Sequence, residues 1–245
     1  MIQHEKNENV NFINKYLHSR RYEYLKSYLR KQYGNRQVRI LEIGVGHGRL
    51  FAELNEVLHL DYTGIEFVPE FYQAAWEKYE RYSNFKLIQG SILDVDLQNS
   101  LDRNYDVVIA LETFEHIHAR NIPTVFDVFR NQITCTLFIT SVPIEIGFTI
   151  LIKNFGSFLM HYPRYREYSY SDNFYSLLKQ VHKIKPHSGD NVYPKHKGFD
   201  WRFYRYLLHQ DFSIAEEFHL PIKWLPAFLS TNMMFISTPR EKLRA

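Results

Sequence analysis

Ile40-Leu41-Glu42-Ile43-Gly44-Val45-Gly46-His47-Gly48-Arg49-Leu50 is the stretch from which the fold of this chain is predicted. It begins as a short apolar strand, breaks into a glycine-spaced loop and continues into a helix. Glycine at alternate positions permits positive φ, and no Cβ keeps a ligand away from the backbone. The amides of the first helical turn lack partners within the helix, so they point at that ligand.

The spacing of the loop is G-x-G-x-G, and Arg49 stands where the dinucleotide fingerprint G-x-G-x-x-G has its last glycine. This difference favours another nucleoside-containing cofactor over a nicotinamide or a flavin. A nicotinamide-dependent oxidoreductase on the same fold stays open as an alternative.

The composition fits one α/β domain. The chain has 245 residues, of which 45% are hydrophobic and 16% aromatic, and surplus aromatics could line a pocket for an organic substrate. A net charge of +3 is too small to predict a nucleic-acid partner. A single cysteine, Cys135, excludes an internal disulfide and indicates a reducing compartment. With no apolar signal segment, and with charges and a proline inside residues 142–160, we expect a cytoplasmic protein without a membrane span.

Apolar periodicity predicts strands that alternate with helices. An amphipathic helix over 12–33 should end at Gly34, and its Arg20–Arg21 pair is expected on a solvated face. The elements that follow are a strand at 38–43, a helix at 48–58, a strand at 62–66, a helix at 69–81, strands at 85–89 and 105–110, a helix at 120–132 and a strand at 135–141. Buried strands joined through helices predict a doubly wound, mostly parallel sheet, which binds ligands outside the carboxyl ends of its strands.

Between residues 143 and 198 this alternation is lost. More than fifty residues are too many for a simple connection, so an inserted lid or acceptor-binding subdomain is predicted there. A helix at 199–210 and strands at 212–219 and 232–238 follow, the two strands forming an antiparallel terminal pair. We therefore expect one domain over 1–245, with residues 1–35 as an N-terminal helical cap.

Glu66 ends the second predicted strand, 18 residues after Gly48. A carboxylate there can accept hydrogen bonds from both hydroxyls of a ribose. The alternative is an exposed glutamate at a strand end, which is a common arrangement.

Two motifs resemble those of the class I S-adenosylmethionine-dependent methyltransferases. The run E-I-G-V-G-H-G at 42–48 is similar to their first motif, an acidic residue followed by G-x-G-x-G. The segment D-V-V-I-A-L-E-T-F-E-H at 106–116 resembles the D-x-x-x-x-x-E-x-x-E-H pattern of small-molecule methyltransferases of the quinone-biosynthesis type. The resemblance covers residues 36–142 and 199–238 and implies a seven-stranded Rossmann-like sheet with an antiparallel terminal strand.

The resemblance implies S-adenosylmethionine as the cofactor. Phe67 would lie beside the adenine, the backbone of Leu111 beside the methionine portion, and Glu112 near its amino group. Ser91 stands where the family has an acidic residue, and capping a turn is an equally good role for it. The full set of implied binding residues is Glu42, Gly44, Gly46, Gly48, Glu66, Phe67, Ser91, Ile92, Leu111 and Glu112.

His116 is the candidate catalytic residue, because an imidazole can serve as general base for methylation of an oxygen. The alternative is that Glu115 and His116 fix the start of the following helix. So short a segment defines no ligand geometry, so no metal is predicted. His161, His187 and His196 are further candidate bases.

The segment H-K-G-F-D-W-R at 196–202 resembles methyltransferases found beside bacterial surface-glycan genes and suggests a loop over the site, ordered by Asp200 or Arg202. The alternative for Asp200 is an ordinary first turn of a helix.

The predicted reaction is methyl transfer to a hydroxyl or carboxyl oxygen of a small-molecule or glycan-type acceptor, not to a nucleic acid. A methyltransferase-like protein that binds without turnover is the remaining alternative.

Overall fold

A computed structural model describes residues 12–159, 167–184, 196–223, 226 and 229–240. Seven strands form its centre: β1 (Gln37–Ile43), β2 (His59–Glu66), β3 (Phe85–Gln89), β4 (Asn104–Leu111), β5 (Thr134–Pro143), β6 (Phe212–Leu220) and β7 (Asn232–Pro239). They form one sheet in the order β3-β2-β1-β4-β5-β7-β6. Strands β1 to β5 are parallel, and β7 is antiparallel to both of its neighbours. The predicted fold class and antiparallel terminal pair are confirmed.

Eight α-helices accompany the sheet in the described part of the chain: α1 (Phe12–Tyr33), α2 (Arg49–Asn55), α3 (Pro69–Tyr79), α4 (Val95–Ser100), α5 (Ile122–Asn131), α6 (Phe148–Leu159), α7 (Tyr170–Leu177) and α8 (Trp201–Asp211). Gly34, with φ +58°, ends α1 by donating its amide to the carbonyl of Arg30, as predicted. Among these helices none combines the length and the apolar character that a membrane span needs.

Helix α4 was missed because its six residues show no apolar periodicity. Asp94 caps it by accepting hydrogen bonds from the amides of Asp96 and Leu97. Leu97 then packs over Gly90, where an added Cβ would lie 2.5 Å from the Leu97 side chain. Tertiary packing and a cap therefore define this helix.

Two apolar clusters cover the two faces of the sheet. Because side chains alternate along a strand, Ile40 of β1 lies in one cluster and Leu41 in the other. Leu25 and Leu29 bring α1 into the first cluster, and both are fully buried. The N-terminal helix is therefore part of the core of the fold.

The second cluster is rich in aromatic rings. Phe138 of β5 stacks on Phe212 of β6 with ring centroids 4.5 Å apart, and Phe126 meets Phe212 edge to face. Phe114 and Tyr204 pack beside them. On this face of the sheet, the many aromatic residues of the chain pack against one another and form the core.

The described part of the 143–198 insert contains α6 and α7. Ser169 and Asp172 form a capping box at the start of α7. Glu145, which is fully buried, accepts hydrogen bonds from Lys153 of α6 and from Tyr168, both at 3.0 Å. These contacts fix the insert to the end of β5, and its role as a lid stays a prediction.

Gly48→Ala should lower the free energy of unfolding more than Gly34→Ala does. Both glycines have positive φ, which costs an L-residue about 1–2 kcal/mol. At Gly48 an added Cβ would also lie 2.5 Å from the Tyr79 ring, whereas at Gly34 nothing lies within 4 Å. We therefore expect a loss of about 3 kcal/mol for Gly48→Ala and about 1 kcal/mol for Gly34→Ala in urea unfolding. Equal losses would show that the Tyr79 ring moves aside.

Candidate active site

The glycine loop and the turn after β4 meet at the carboxyl edge of the sheet. Gly44 donates its amide to the carbonyl of Ile65 at 2.8 Å, and the hydroxyl of Thr113 donates to the carbonyl of Ile43 at 2.9 Å. A Cβ on Gly44 would lie 2.5 Å from the Thr113 hydroxyl, so only glycine allows this approach. The ends of β1, β2 and β4 are thereby joined.

Gly46 and Glu66 form the side of the site that the sequence assigned to the ribose. Glu66 is only 4% exposed, which is at odds with the alternative of an exposed strand-end glutamate. Its Oε2 accepts from the amide of Gly46 at 2.6 Å and its Oε1 from the amide of Val68 at 2.8 Å. Burial raises the pKa of Glu66, and these backbone donors act in the opposite direction. Each oxygen keeps a second lone pair with which it can accept from a ligand hydroxyl.

The residues predicted to contact the adenine ring of the cofactor differ in how accessible they are. They are Phe67, Ser91 and Ile92. Phe67 is 43% exposed beside Glu66, as a ring facing an adenine would be. The hydroxyl of Ser91 accepts from the amide of Leu93 at 3.2 Å, which is the turn-capping role left open above. Ile92 is 3% exposed and packs in the second apolar cluster. A base contact of Ser91 or Ile92 stays a prediction.

Leu111 ends β4, and Glu112 directly after it has an unusual backbone conformation. Glu112 has a φ of +52°, a region that non-glycine residues adopt at a cost of about 1–3 kcal/mol. Its amide donates to the carbonyl of Ser141 at 2.9 Å, which fixes the turn to β5. Its carboxylate pairs with the guanidinium of Arg21.

Arg21 does not lie on a solvated face, and that expectation was wrong for this residue. Its side chain is 12% exposed and reaches from α1 to Glu112, whereas Arg20 pairs with Glu23 on the exposed side. The helical spacing 21, 25, 29 carries the signal, because Leu25 and Leu29 are the fully buried stripe of α1. Extending that stripe by one turn places Arg21 toward the site.

Glu42 lies beneath the site, 3% exposed, and accepts a hydrogen bond from the hydroxyl of Tyr62. Burial raises the pKa of Glu42 to about 8, which the Tyr62 hydrogen bond and the charge of Arg21 oppose. Glu66 adds to the rise, since a second carboxylate nearby disfavours ionisation. Glu42 is therefore largely protonated at neutral pH.

A cluster of three side chains lies beside the turn after β4. Its members are Glu115, His116 and His196. The Nε2 atoms of the two imidazoles are 3.2 Å apart, and Nε2 of His196 is 3.8 Å from Oε1 of Glu115. One ligand atom from each residue can be chosen so that all lie within 4.8 Å of one another. His116 is exposed, and Glu115 is 2% exposed. These side chains could hold a metal ion, which the sequence did not indicate because His196 is 80 residues away along the chain.

The segment 196–202 is held by ion pairs. Lys197 bonds to Asp172 of α7 at 2.8 Å, with both side chains about nine-tenths buried. Asp200 is the N-cap of α8 and accepts from the amide of Arg202 at 2.9 Å. Arg202 also donates to the carbonyl of Lys179 at 3.0 Å. Asp200 and Arg202 therefore order this segment, while His161 and His187 lie outside the described residues.

The residues at the carboxyl edge fit a nucleoside cofactor. A Cβ on Gly46 would meet nothing within 4 Å, so the backbone is open to a ligand there. Next to it lie the buried carboxylate of Glu66 and the exposed ring of Phe67. A pairing of opposite charges, Arg21 with Glu112, lies at the end of β4.

Comparison with known proteins gives a domain match over part of the chain and a fold. Residues 40–133 match the family described as methyltransferase domain. Magnesium protoporphyrin IX methyltransferase from Synechocystis PCC 6803 with bound S-adenosylhomocysteine is 14% identical, with a TM-score of 0.60 over 95% of this chain and 89% of that one. An N-methyltransferase from Bradyrhizobium japonicum WM9 in complex with S-adenosylhomocysteine is 12% identical, with a TM-score of 0.58 over 96% and 91% of the chains.

A small RNA methyltransferase is 17% identical, with a TM-score of 0.58 over 92% of this chain and 25% of that one. No curated protein sequence matches the chain. At such identities the structural likeness concerns the fold.

Residues 40–133 match a methyltransferase domain and the fold is that of S-adenosylmethionine-dependent methyltransferases, so the chain is a methyltransferase whose cofactor is S-adenosylmethionine. The nicotinamide-dependent oxidoreductase is thereby set aside. The identity of the methyl acceptor does not follow from the family.

Glu42→Gln should change how stability depends on pH. The folded protein holds a proton on Glu42 up to about pH 8, whereas the unfolded chain releases it near the ordinary value of 4.5. Stability from this group is therefore fully present below about pH 4.5 and is lost as the pH rises through about 8. The amide of Gln keeps an acceptor for Tyr62 without a charge. The free energy of unfolding of Glu42→Gln relative to wild type should therefore rise by about 4 kcal/mol between pH 5 and pH 9.

Urea unfolding at pH 5, 7 and 9 measures this difference, and Glu77→Gln is the control because Glu77 is exposed. A difference between Glu42→Gln and wild type that does not vary with pH would contradict a protonated Glu42.

Proposed function

We propose that the chain transfers a methyl group from S-adenosylmethionine to a hydroxyl or carboxyl oxygen of a small organic or glycan-type acceptor. The observation that carries the proposal is the exposed imidazole of His116 at the carboxyl end of β4, beside His196. S-adenosylmethionine supplies a methyl group that its sulfonium already activates. The protein must therefore align the acceptor oxygen with that methyl and exclude water.

The residues proposed to bind S-adenosylmethionine match the polar, aromatic and charged groups of that cofactor. Glu66 would accept from the ribose hydroxyls, with its orientation fixed by the amides of Gly46 and Val68. Phe67 offers an exposed ring to the adenine. Glu112 and Arg21 offer an anion and a cation for the amino and carboxylate groups of the methionine end.

His116 is the proposed residue on the acceptor side. An imidazole nitrogen can accept a hydrogen bond from an acceptor hydroxyl and so orient its oxygen toward the methyl group. His196 lies close enough to fix the ring of His116. The similar structures include a magnesium protoporphyrin IX methyltransferase, an N-methyltransferase and a small RNA methyltransferase, so the fold leaves the acceptor open and only the site bears on it.

The net charge of +3 supports a small acceptor over a nucleic acid.

Formation of S-adenosylhomocysteine with separate panels of phenols, carboxylic acids, glycosides, amines and single-stranded RNA tests the acceptor class. Turnover with the oxygen panels alone is expected. Turnover only with amines or only with RNA would overturn the proposal, and a lack of turnover in all panels would favour a binding protein.

Glu66→Ala should weaken binding of S-adenosylhomocysteine by ten-fold or more, because hydrogen bonds to a charged acceptor contribute about 1.5–3 kcal/mol. Calorimetry measures the affinity. Glu77→Ala removes an exposed glutamate from the neighbouring helix α3 and should leave it unchanged. An unchanged affinity in Glu66→Ala, with the protein folded, would remove Glu66 from the donor site.

His116→Gln should lower kcat by roughly 100-fold with the acceptor found above, because the group that orients the acceptor oxygen is lost. The affinity for S-adenosylhomocysteine should stay within about two-fold, since the donor-binding residues are untouched. His118→Gln, an exposed residue two positions along, is the matched control. Equal kcat values for the two variants would exclude a role of His116 in turnover.

A further inference from the structure

Glu115, in the turn after β4, carries a buried carboxyl group. Its side chain is fully buried, and neither oxygen has a hydrogen-bond partner in the described part of the chain. Two neighbouring cations are engaged elsewhere: Arg21 pairs with Glu112, and Lys153 bonds to Glu145. A buried carboxylate without a donor is costly unless the group takes up a proton or binds a cation.

Two imidazoles lie next to that carboxylate. Nε2 of His116 and Nε2 of His196 are 3.2 Å apart, and Oε1 of Glu115 is 3.8 Å from Nε2 of His196. Three atoms that can donate lone pairs to a metal, two from the turn after β4 and one from segment 196–202, therefore lie within 4.8 Å of one another.

We infer that Glu115, His116 and His196 bind a divalent transition-metal ion of the Zn²⁺ type. Two imidazole nitrogens and one carboxylate oxygen suit zinc, iron or cobalt, whereas Mg²⁺ and Ca²⁺ prefer oxygen ligands throughout. Zinc binds imidazole at about 2.0–2.1 Å, which puts two ligands of a tetrahedral site about 3.3 Å apart. The separation of 3.2 Å between the two Nε2 atoms already matches that edge.

The rest of the fold holds these ligands in place. His116 and Glu115 belong to a short helical turn, Phe114–His116, whose first residue is fully buried in the aromatic cluster. His196 precedes Lys197, which is fixed to Asp172 of α7. Ligands carried by two separately anchored segments form a site only in the folded chain.

Three protein ligands leave coordination positions open, as in catalytic metal sites. An acceptor hydroxyl bound at such a position would lose its proton more readily, because the cation stabilises the alkoxide. This consequence rests on the proposed function, and it makes His116 a metal ligand that acts on the acceptor through the ion. The metal site itself does not depend on the acceptor.

Metal binding by the full-length chain tests the inference. The purified protein is treated with a chelator, dialysed, and titrated with Zn²⁺ by calorimetry and with Co²⁺ by visible absorption. One equivalent of Zn²⁺ per chain is expected, together with a Co²⁺ spectrum of low coordination number. Glu115→Gln, His116→Asn and His196→Asn should each weaken Zn²⁺ binding by ten-fold or more, while His118→Asn should bind as wild type does.

Affinity for S-adenosylhomocysteine, measured on the same samples, shows that each variant is folded and that the donor site is intact. Absence of stoichiometric Zn²⁺ binding in a wild type that binds S-adenosylhomocysteine would overturn the metal site and leave a hydrogen-bonded histidine pair. Zn²⁺ binding that the three variants do not weaken would overturn it as well. Zn²⁺ binding without turnover of any oxygen acceptor would support the site and count against the proposed function alone.

Discussion

The hydrogen bonds between the carboxylate of Glu66 and the amides of Gly46 and Val68 are the constraint on which the donor side of the site depends. They join the glycine loop after β1 to the segment that leads from β2 into α3. Without a side chain at Gly46, the loop can approach Glu66 and still leave its outer face open. The same carboxylate thus shapes the loop and remains able to accept from a ligand, which links folding to binding at this edge of the sheet.

Burial raises the pKa of both Glu42 and Glu115 to about 8, but the two acids on either side of this edge have different partners. Glu42 has Tyr62 as a donor, so its carboxyl group is accommodated beneath the site as a hydrogen-bonded and largely protonated acid. Glu115 has no such donor in the described residues and faces two imidazoles instead. The first arrangement is complete within the protein, and the second is suited to a further group. The donor and acceptor sides of the site thus differ in how their buried acids are compensated.

Much of this arrangement could be predicted from local sequence. The alternation of strands and helices, the glycine loop and the position of Glu66 are short-range signals, and each corresponds to a described element. What local patterns could not supply was the pairing of distant residues. Arg21 was assigned to solvent because its partner is 91 residues away, and His196 was one of several unplaced histidines until segment 196–202 was seen beside His116. Helix α4 was missed for a related reason, since a cap and the contact of Leu97 with Gly90 define it.

The ion pair between Arg21 and Glu112 also has a consequence for the order in which the chain acquires its structure. Helix α1 leaves the ribosome before β4 does, and the carboxylate that pairs with its arginine follows 91 residues later, just after β4. Closing so long a loop has an entropic cost that local helix contacts do not repay. During synthesis α1 therefore has to wait, with its apolar stripe uncovered, until the central strands have been made. The cation of this site is therefore placed only after β4 has been made.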